Sequence, residues 1–465
     1  MLIDRYDPED VFARVPELAE QTDPVLRELD GLLEDDALFR GVRADLARRH
    51  PRTACHGRHS TPVEALLRLL VVQHLYNRSF RETERRVADR LVLRWFCRVY
   101  FRRVPDSTTL LRWANTLRPA TMHALLDRVV ELARQTKVTT GRKLRLDGTV
   151  VQTTIHHPTD SSLLVDGVRV LSRLLRRSKP IVQDQLSGVR DTFRTRLRGV
   201  RRGLQTLHRL ARRQGEEAAE ARAAVYRQLL AATERTVAQA RRVRSALGDA
   251  RQRGVDGAHR LAERLDRFVP LVRDVIGQAR RRVLEGAQVP SAEKVVSLFE
   301  PHTRILPRHK GGAMVEFGRL LVLDEVEGGI VTRFRLLGDQ TAERGELGPA
   351  LAHHQALFAR PPTLVAGDRG CHSLDNERLA RQAGVKHLAI PRSGRLTPAQ
   401  RAQEHRPTWR RRYRFRAGIE GRISSLRRDY GLRRCPAHGT AGMERYVGWG
   451  LIASNLRHIA QKLAA

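Results

Sequence analysis

Three acidic residues, Asp147, Asp368 and Glu420, are flanked in ways that point to chemistry. Residues 142–166 read RKLRLDGTVVQTTIHHPTDSSLLVD and open as a strand: Leu144 and Leu146 alternate with Arg145 and Asp147, and Val150 and Val151 follow. A carboxylate ending an apolar β run is costly unless it is solvated, paired or bound to a cation. Asp147 is therefore a candidate metal ligand, although Asp147-Gly148 is also a common turn dipeptide. Asp368 ends a second apolar strand, TLVAGDRGC. Sites in open α/β sheets gather at the carboxyl ends of strands, and turn chemistry is a poor account of two such aspartates. Glu420 lies in RRRYRFRAGIEGRISSLRRDYGLRRC. On a helix, Tyr413, Arg416, Glu420 and Arg427 fall within about 60° of one another. A carboxylate between guanidiniums and a phenol suits a metal ligand with phosphate-binding neighbours. The plainer alternative is a solvated basic helix with one Arg416–Glu420 pair. Gly418 and Gly421 weaken the helix.

The elements that must position these residues follow from the pattern. Residues 1–135 read as helical. VEALLRLLVVQHLY begins after Pro62 with Leu66, Leu69, Leu70, Gln73 and Leu75 near helical spacing, and Asn77-Arg78-Ser79 is a break with a cap. Thr83, Val87 and Leu91 mark a second helix. Asp106 or Ser107 caps a third with Leu110, Leu111 and Leu117 on its apolar side. Short helices with interspersed arginine suit DNA binding as well as an ordinary bundle. Residues 136–166 hold the first core strand. Residues 167–290 are rich in Arg and Ala and read as about three long helices in a coiled arm, broken at Gly215 and at 248–257. In 291–465, GRLLVLDEVEGG and IVTRFRLL form a hairpin through Glu327-Gly328-Gly329, and ERGELGPALAHHQALF a helix. The strand ending in Asp368, the helix SLDNERLARQAG and the strand KHLAIPR follow.

The chain has 465 residues, with 86 Lys+Arg against 51 Asp+Glu, a formal net charge of +35. Such an excess needs an anionic partner, and nucleic acid is the usual one. A genome that favours arginine codons explains Arg over Lys but not the imbalance. The four cysteines are too sparse for a disulfide scaffold. Cys435-x-x-His438 and Cys55-His56 are half zinc sites at most, with no second half at convincing spacing. MLIDRYDPED is no signal peptide, and no run approaches the ~20 apolar residues of a membrane span. Asp160, after Pro158-Thr159, suits a turn. Asp166, His156 and His157 lie near Asp147 without ending a strand, and Asp324 and Asp339 belong to hairpin and loop.

On these residues the chain resembles the DDE transposases of bacterial insertion sequences, nearest to the ISNCY type, where stretches like TVVQTTIHHPTDSSLLVDGVRV occur. The first aspartate of the family falls on Asp147. Its Asp-x-Gly-Tyr appears as Asp368-Arg369-Gly370-Cys371, with cysteine for the aromatic. Its Tyr-x2-Arg-x3-Glu-x6-Lys appears as Tyr413, Arg416, Glu420 and Arg427, with arginine for lysine. The resemblance implies an α/β fold: a ribonuclease-H-like catalytic core, an N-terminal helical domain and a long helical insertion. It implies that Asp147, Asp368 and Glu420 are catalytic and hold two Mg²⁺ or Mn²⁺ ions. It also implies that Arg369, Tyr413, Arg416, Arg422 and Arg427 contact DNA, and Trp409 shares with Tyr413 the capacity to stack on a base. The expected partner is double-stranded DNA, both element ends and target, with no membrane. At least a homodimer is expected in a synaptic complex, in a bacterial cytoplasm at the nucleoid. A nuclease that never joins strands, or an inactive DNA-binding derivative, would carry the same residues.

Overall fold

Strand β1 (Lys143–Thr153) is the axis of the sheet. The structure, a computed structural model, describes residues 1–6, 23–49, 52, 59–189, 191–307, 315–338 and 343–465. Cys55, His56 and Asp339 lie outside them. The chain divides into two compact units, Met1–Gln152 with Arg319–Ala465, and Thr153–Gly318. Strand β2 (Arg304–Pro307) pairs with residues 315–318 of β3 (Val315–Val326). In the first unit β4 (Ile330–Leu336) pairs antiparallel with β3, and β3 neighbours β1. β5 (Leu364–Ala366) pairs parallel with both β1 and β6 (His387–Ala389), and β7 (Arg434–Cys435) pairs with β1. The sheet is therefore mixed. The β3–β4 turn takes Gly328 and Gly329 at φ 85° and 76°, which a side chain would strain.

Helices α1 (Pro24–Leu32), α2 (Asp36–Ala47), α3 (Val63–Leu75), α4 (Phe80–Asp89), α5 (Leu91–Phe96), α6 (Ser107–Thr116) and α7 (Pro119–Gln135) precede β1. α3 is buried on every side, as its nearly unbroken apolar run requires. Its one fully buried cation, Arg68, binds Asp30 at 2.5 Å and Glu64 at 3.3 Å. Ser79 and Glu82 cap α4 reciprocally, and Asp106 caps α6 through the Thr108 and Thr109 amides. Two expected core residues are exposed, Leu91 and Leu111. Extended backbone at Arg90 ends α4 and resets the helical phase, so Leu91 does not continue the Thr83–Val87 face.

The second unit has four principal helices rather than three: α8 (Asp160–Val182), α9 (Leu197–Leu210), α10 (Glu216–Gln252) and α11 (Ala258–Ala279). Gly248 lies inside α10, and the chain breaks instead at Gly254 and Gly257, both in left-handed backbone. Residues such as Leu171, Leu174, Val243, Leu265 and Val272 give this unit its own core. Asp160 is the first residue of α8, not a turn: Gln278 and Arg282 donate to it at 2.7 and 2.6 Å. Asp166 is held by His156 and Arg169.

The first unit resumes with α12 (Leu347–Phe358), α13 (Leu374–Gln382), α14 (Pro398–His405), α15 (Pro407–Asp429) and α16 (Gly439–Leu463). α15 lies on β5 and β6, and α16 packs on α1, α3, α7 and β4. One core joins Leu66 of α3, Val129 of α7, Leu144 and Leu323 of the sheet, and Leu456 of α16. The helices before β1 thus share their interior with the sheet. Buried Asn455 completes β4 with its side chain, which accepts from the Val331 amide at 3.1 Å and donates to its carbonyl at 2.7 Å.

Candidate active site

Strand alternation sends Leu144 and Leu146 into the core and Arg145 and Asp147 to the other face. On that face Arg145 docks α15. It donates to the Phe415 carbonyl at 2.7 Å and to buried Glu325 of β3 at 2.8 and 3.0 Å. Its guanidinium occupies the space that a β-carbon on Gly418 would need. Gly418 is therefore a docking residue. The helix runs through it unbroken because this packing outweighs glycine's weak helical preference.

Asp147 does not end its strand; it lies in the middle of β1. It does lie beyond β1's pairing with β5, whose last pair is Arg145 with Ala366. Asp147 and Asp368 each lie two residues past that last pair, Asp147 still on β1 and Asp368 beyond the end of β5. Asp368 follows β5 and caps a short 3₁₀ turn, accepting from the Cys371 amide at 3.2 Å. Cys371, where the family has an aromatic, is buried behind this turn, and burial chiefly, with Asp368 and Glu343, raises its thiol pKa.

Arg416 joins the first and third acids. Its Nη2 donates to Asp147 at 3.0 Å and its Nη1 to Glu420 at 2.7 Å, while its buried Nε has no partner among the described residues. Glu420 is otherwise open, with its side chain 56% exposed. Burial pushes the Asp147 carboxyl up. Arg416 and the Gly148 amide pull it down, Asp368 and Glu420 push it up again, and the net direction is up.

A fourth acid, Glu343, comes from the 3₁₀ turn before α12. Burial first, then Asp368 and Asp147, push its carboxyl up to about 7, against the pull of Arg416. In the sequence it only opens ERGELGPALAHHQALF, a stretch expected to be helical. Nothing in its neighbours along the chain marks it, because what surrounds it comes from β1 and the β5 turn.

The residues expected to contact DNA fall into different environments. Arg369 is exposed in the turn beside Asp368, and Arg427 is half-buried on α15. Arg422 is structural here: it donates to the Gly329 carbonyl and to Ser454, and lies 3.6 Å from Glu325. Tyr413 stacks on Trp409 and packs against Leu364, Ala366 and Ala389. Core packing thus occupies at least one face of its ring.

All four acids offer hard oxygen ligands, the kind Mg²⁺ and Mn²⁺ take. Among the described residues, no group of three or more His, Cys, Asp and Glu is gathered in a ready metal-holding arrangement. The charges nonetheless fit a cation. Mutual repulsion helps raise Asp147 and Glu343, and the nearest compensating charge, Arg416, is shared between Asp147 and Glu420.

Among the described residues, no helix is long and apolar enough to cross a membrane. No curated protein and no solved structure matches the chain. Two family models do. Residues 14–116 match a transposase domain (DUF772), and residues 327–456 match a transposase DDE domain. The second match takes in Glu343, Asp368 and Glu420 and begins after Asp147. With both domain types present in one chain, and the acids of the second gathered beside β1 and β5, the chain belongs to the DDE transposases of insertion sequences.

Proposed function

We propose that the protein cleaves DNA at the ends of an insertion sequence and transfers the freed ends into target DNA, with divalent cations held by Asp147, Asp368 and Glu420. The observation that carries this reading is that Asp147 and Asp368 each lie two residues past the last pair of two adjacent parallel strands, with Arg416 of α15 bridging Asp147 and Glu420. The same mixed sheet supports a ribonuclease-H-like core. Two Mg²⁺ or Mn²⁺ ions, when bound, supply activation of the attacking oxygen and stabilisation of the leaving one.

The chain's own groups position the DNA. Arg369 neutralises a phosphate beside Asp368. Arg416 releases its carboxylates and takes a phosphate, for which its Nε, unpaired among the described residues, is a ready donor. Arg427 extends that basic face along α15. Water attacks first and leaves a 3′-OH, and that hydroxyl then attacks target DNA. One site serves both steps, since each is a displacement at a phosphodiester. A net charge of +35 suits the DNA backbone and makes binding salt-dependent. Two ends in one synaptic complex call for at least two copies of the chain, acting at the nucleoid in a bacterial cytoplasm.

The test mixes purified protein and Mg²⁺ with labelled DNA from either edge of the gene's locus, beside Asp147→Ala, Asp368→Ala and Glu420→Ala. A nick at a fixed terminal position, joining of that end to a plasmid, and loss of both in each variant with DNA binding retained are expected. Nicking without joining reduces the function to a nuclease. Binding by all four proteins with no cleavage by any overturns the catalytic reading and leaves a DNA-binding derivative.

A further inference from the structure

We propose that Glu343 is a fourth carboxylate of this site, a ligand to the divalent cation held between Asp147 and Asp368. The inference rests on the reading above that these two aspartates hold one. It starts from where the Glu343 carboxylate lies. One oxygen occupies the space that a β-carbon on Gly148, next to Asp147, would fill. The other would lie 3.2 Å from a β-carbon on Gly370, where Asp368 Oδ1 would stand at 3.1 Å. The two oxygens of Glu343 therefore reach both segments that carry the aspartates. Both positions are glycine, the residue type that leaves this room.

Glu343 is also held in place. Asn376 of α13 donates from one amide to the Arg344 carbonyl at 2.8 Å and to the Cys371 carbonyl at 2.7 Å, tying the Glu343 turn to the Asp368 turn. Three residues on, Glu346 is gripped by Arg333 at 3.0 Å and Arg335 at 3.2 Å. A rigid support behind a ligand is what a site built for a metal requires.

A simpler role would be that of an acid in the first turn of a helix, favoured by the helix dipole. Such a residue gains most by facing water. Glu343 is instead half-buried against two other acids, and among the described residues no hydrogen bond or ion pair holds its carboxylate. Three acids facing one another, with only Arg416 beside them and that shared with Glu420, is a costly arrangement that a bound divalent ion would relieve.

The test measures Mn²⁺ binding to the full chain by electron paramagnetic resonance and calorimetry, without DNA. Circular dichroism and tryptophan fluorescence check the fold. Glu343→Gln keeps the shape and removes the charge, and should weaken Mn²⁺ binding by about tenfold or more. Glu343→Asp should recover part of it, which a purely structural role would not predict. Gly148→Ala keeps every carboxylate but displaces that of Glu343, and should weaken binding in the same direction. Glu263→Gln, on an exposed face of α11, should change nothing. If Asp147→Asn and Asp368→Asn abolish binding while Glu343→Gln and Gly148→Ala leave it unchanged, the role of Glu343 is overturned and the site stands. If Asp147→Asn and Asp368→Asn also bind normally, the site itself is wrong and the inference falls with it.

Discussion

Arg145→Met removes the guanidinium that docks α15. Three hydrogen bonds are lost, two to Glu325 at 2.8 and 3.0 Å and one to the Phe415 carbonyl at 2.7 Å, together with a cation–π contact to the Phe415 ring at 4.7 Å. Glu325 stays buried, with no measurable exposure, and Arg422 at 3.6 Å is the nearest remaining cation. Removing one partner of a buried ion pair costs about 3–5 kcal/mol, and the residual pairing to Arg422 argues for the lower end, about 3 kcal/mol. Whole domains are stable by only ~5–15 kcal/mol, so the unit should fold with a midpoint lowered by on the order of 1 M urea. All four tryptophans, Trp95, Trp113, Trp409 and Trp449, lie in the first unit, so their fluorescence follows its unfolding alone. Adding Glu325→Leu should recover part of the loss, because apolar residues replace a buried pair more cheaply than an orphaned charge can be kept. A single-variant loss under about 1 kcal/mol, or a double variant no better than the single, would refute this account of the docking.

Gly418→Ala forces a β-carbon into the same guanidinium and should cost about 1–3 kcal/mol by urea unfolding, whereas Gly421→Ala, which meets nothing on the same helix, should gain up to about 1 kcal/mol. Glu327 accepts from the Thr140 hydroxyl and from the Arg142 and Lys143 amides at the start of β1. Burial pushes its carboxyl up, these bonds outweigh burial, and the net direction is down. Its contribution is therefore full above the ordinary glutamate range and is lost as pH falls through the lower folded value, so Glu327→Gln should flatten the fall in stability between pH 5 and 3. His74, buried against Tyr446 and Trp449, is held neutral by burial, with its pKa lowered to about 3. The unfolded chain takes up this proton below about pH 6.5, so stability is full above that pH and falls by roughly 1.4 kcal/mol per unit below it. His74→Phe should remove that slope in urea titrations at pH 7.5, 6.5 and 5.5, and an unchanged slope counts against burial as its cause.

By itself the sequence determined what depends on near neighbours. Alternation of Leu144, Arg145, Leu146 and Asp147 marked β1, Gly328-Gly329 marked the hairpin turn, and Ser79 and Asp106 marked helix starts, because strand period, left-handed backbone and capping are set within a few residues. The candidate residues Asp147, Asp368, Arg416 and Glu420 stood out by type and spacing, although Asp147 lies in mid-strand rather than at a strand end and Asp368 lies in the turn after β5. Tertiary structure decided what those places face. The pairing of β1 with β5 leaves both aspartates just past its last pair, Arg145 reaching across Gly418 sets α15 on the sheet, and Arg416 thereby spans Asp147 and Glu420. Arg422, equal to Arg416 in composition and spacing, is drawn into the buried Glu325 pair instead. Glu343 was invisible in the sequence, because a carboxylate becomes a neighbour of two others only when a turn before α12, a mid-strand residue and a turn after β5 are folded to one point.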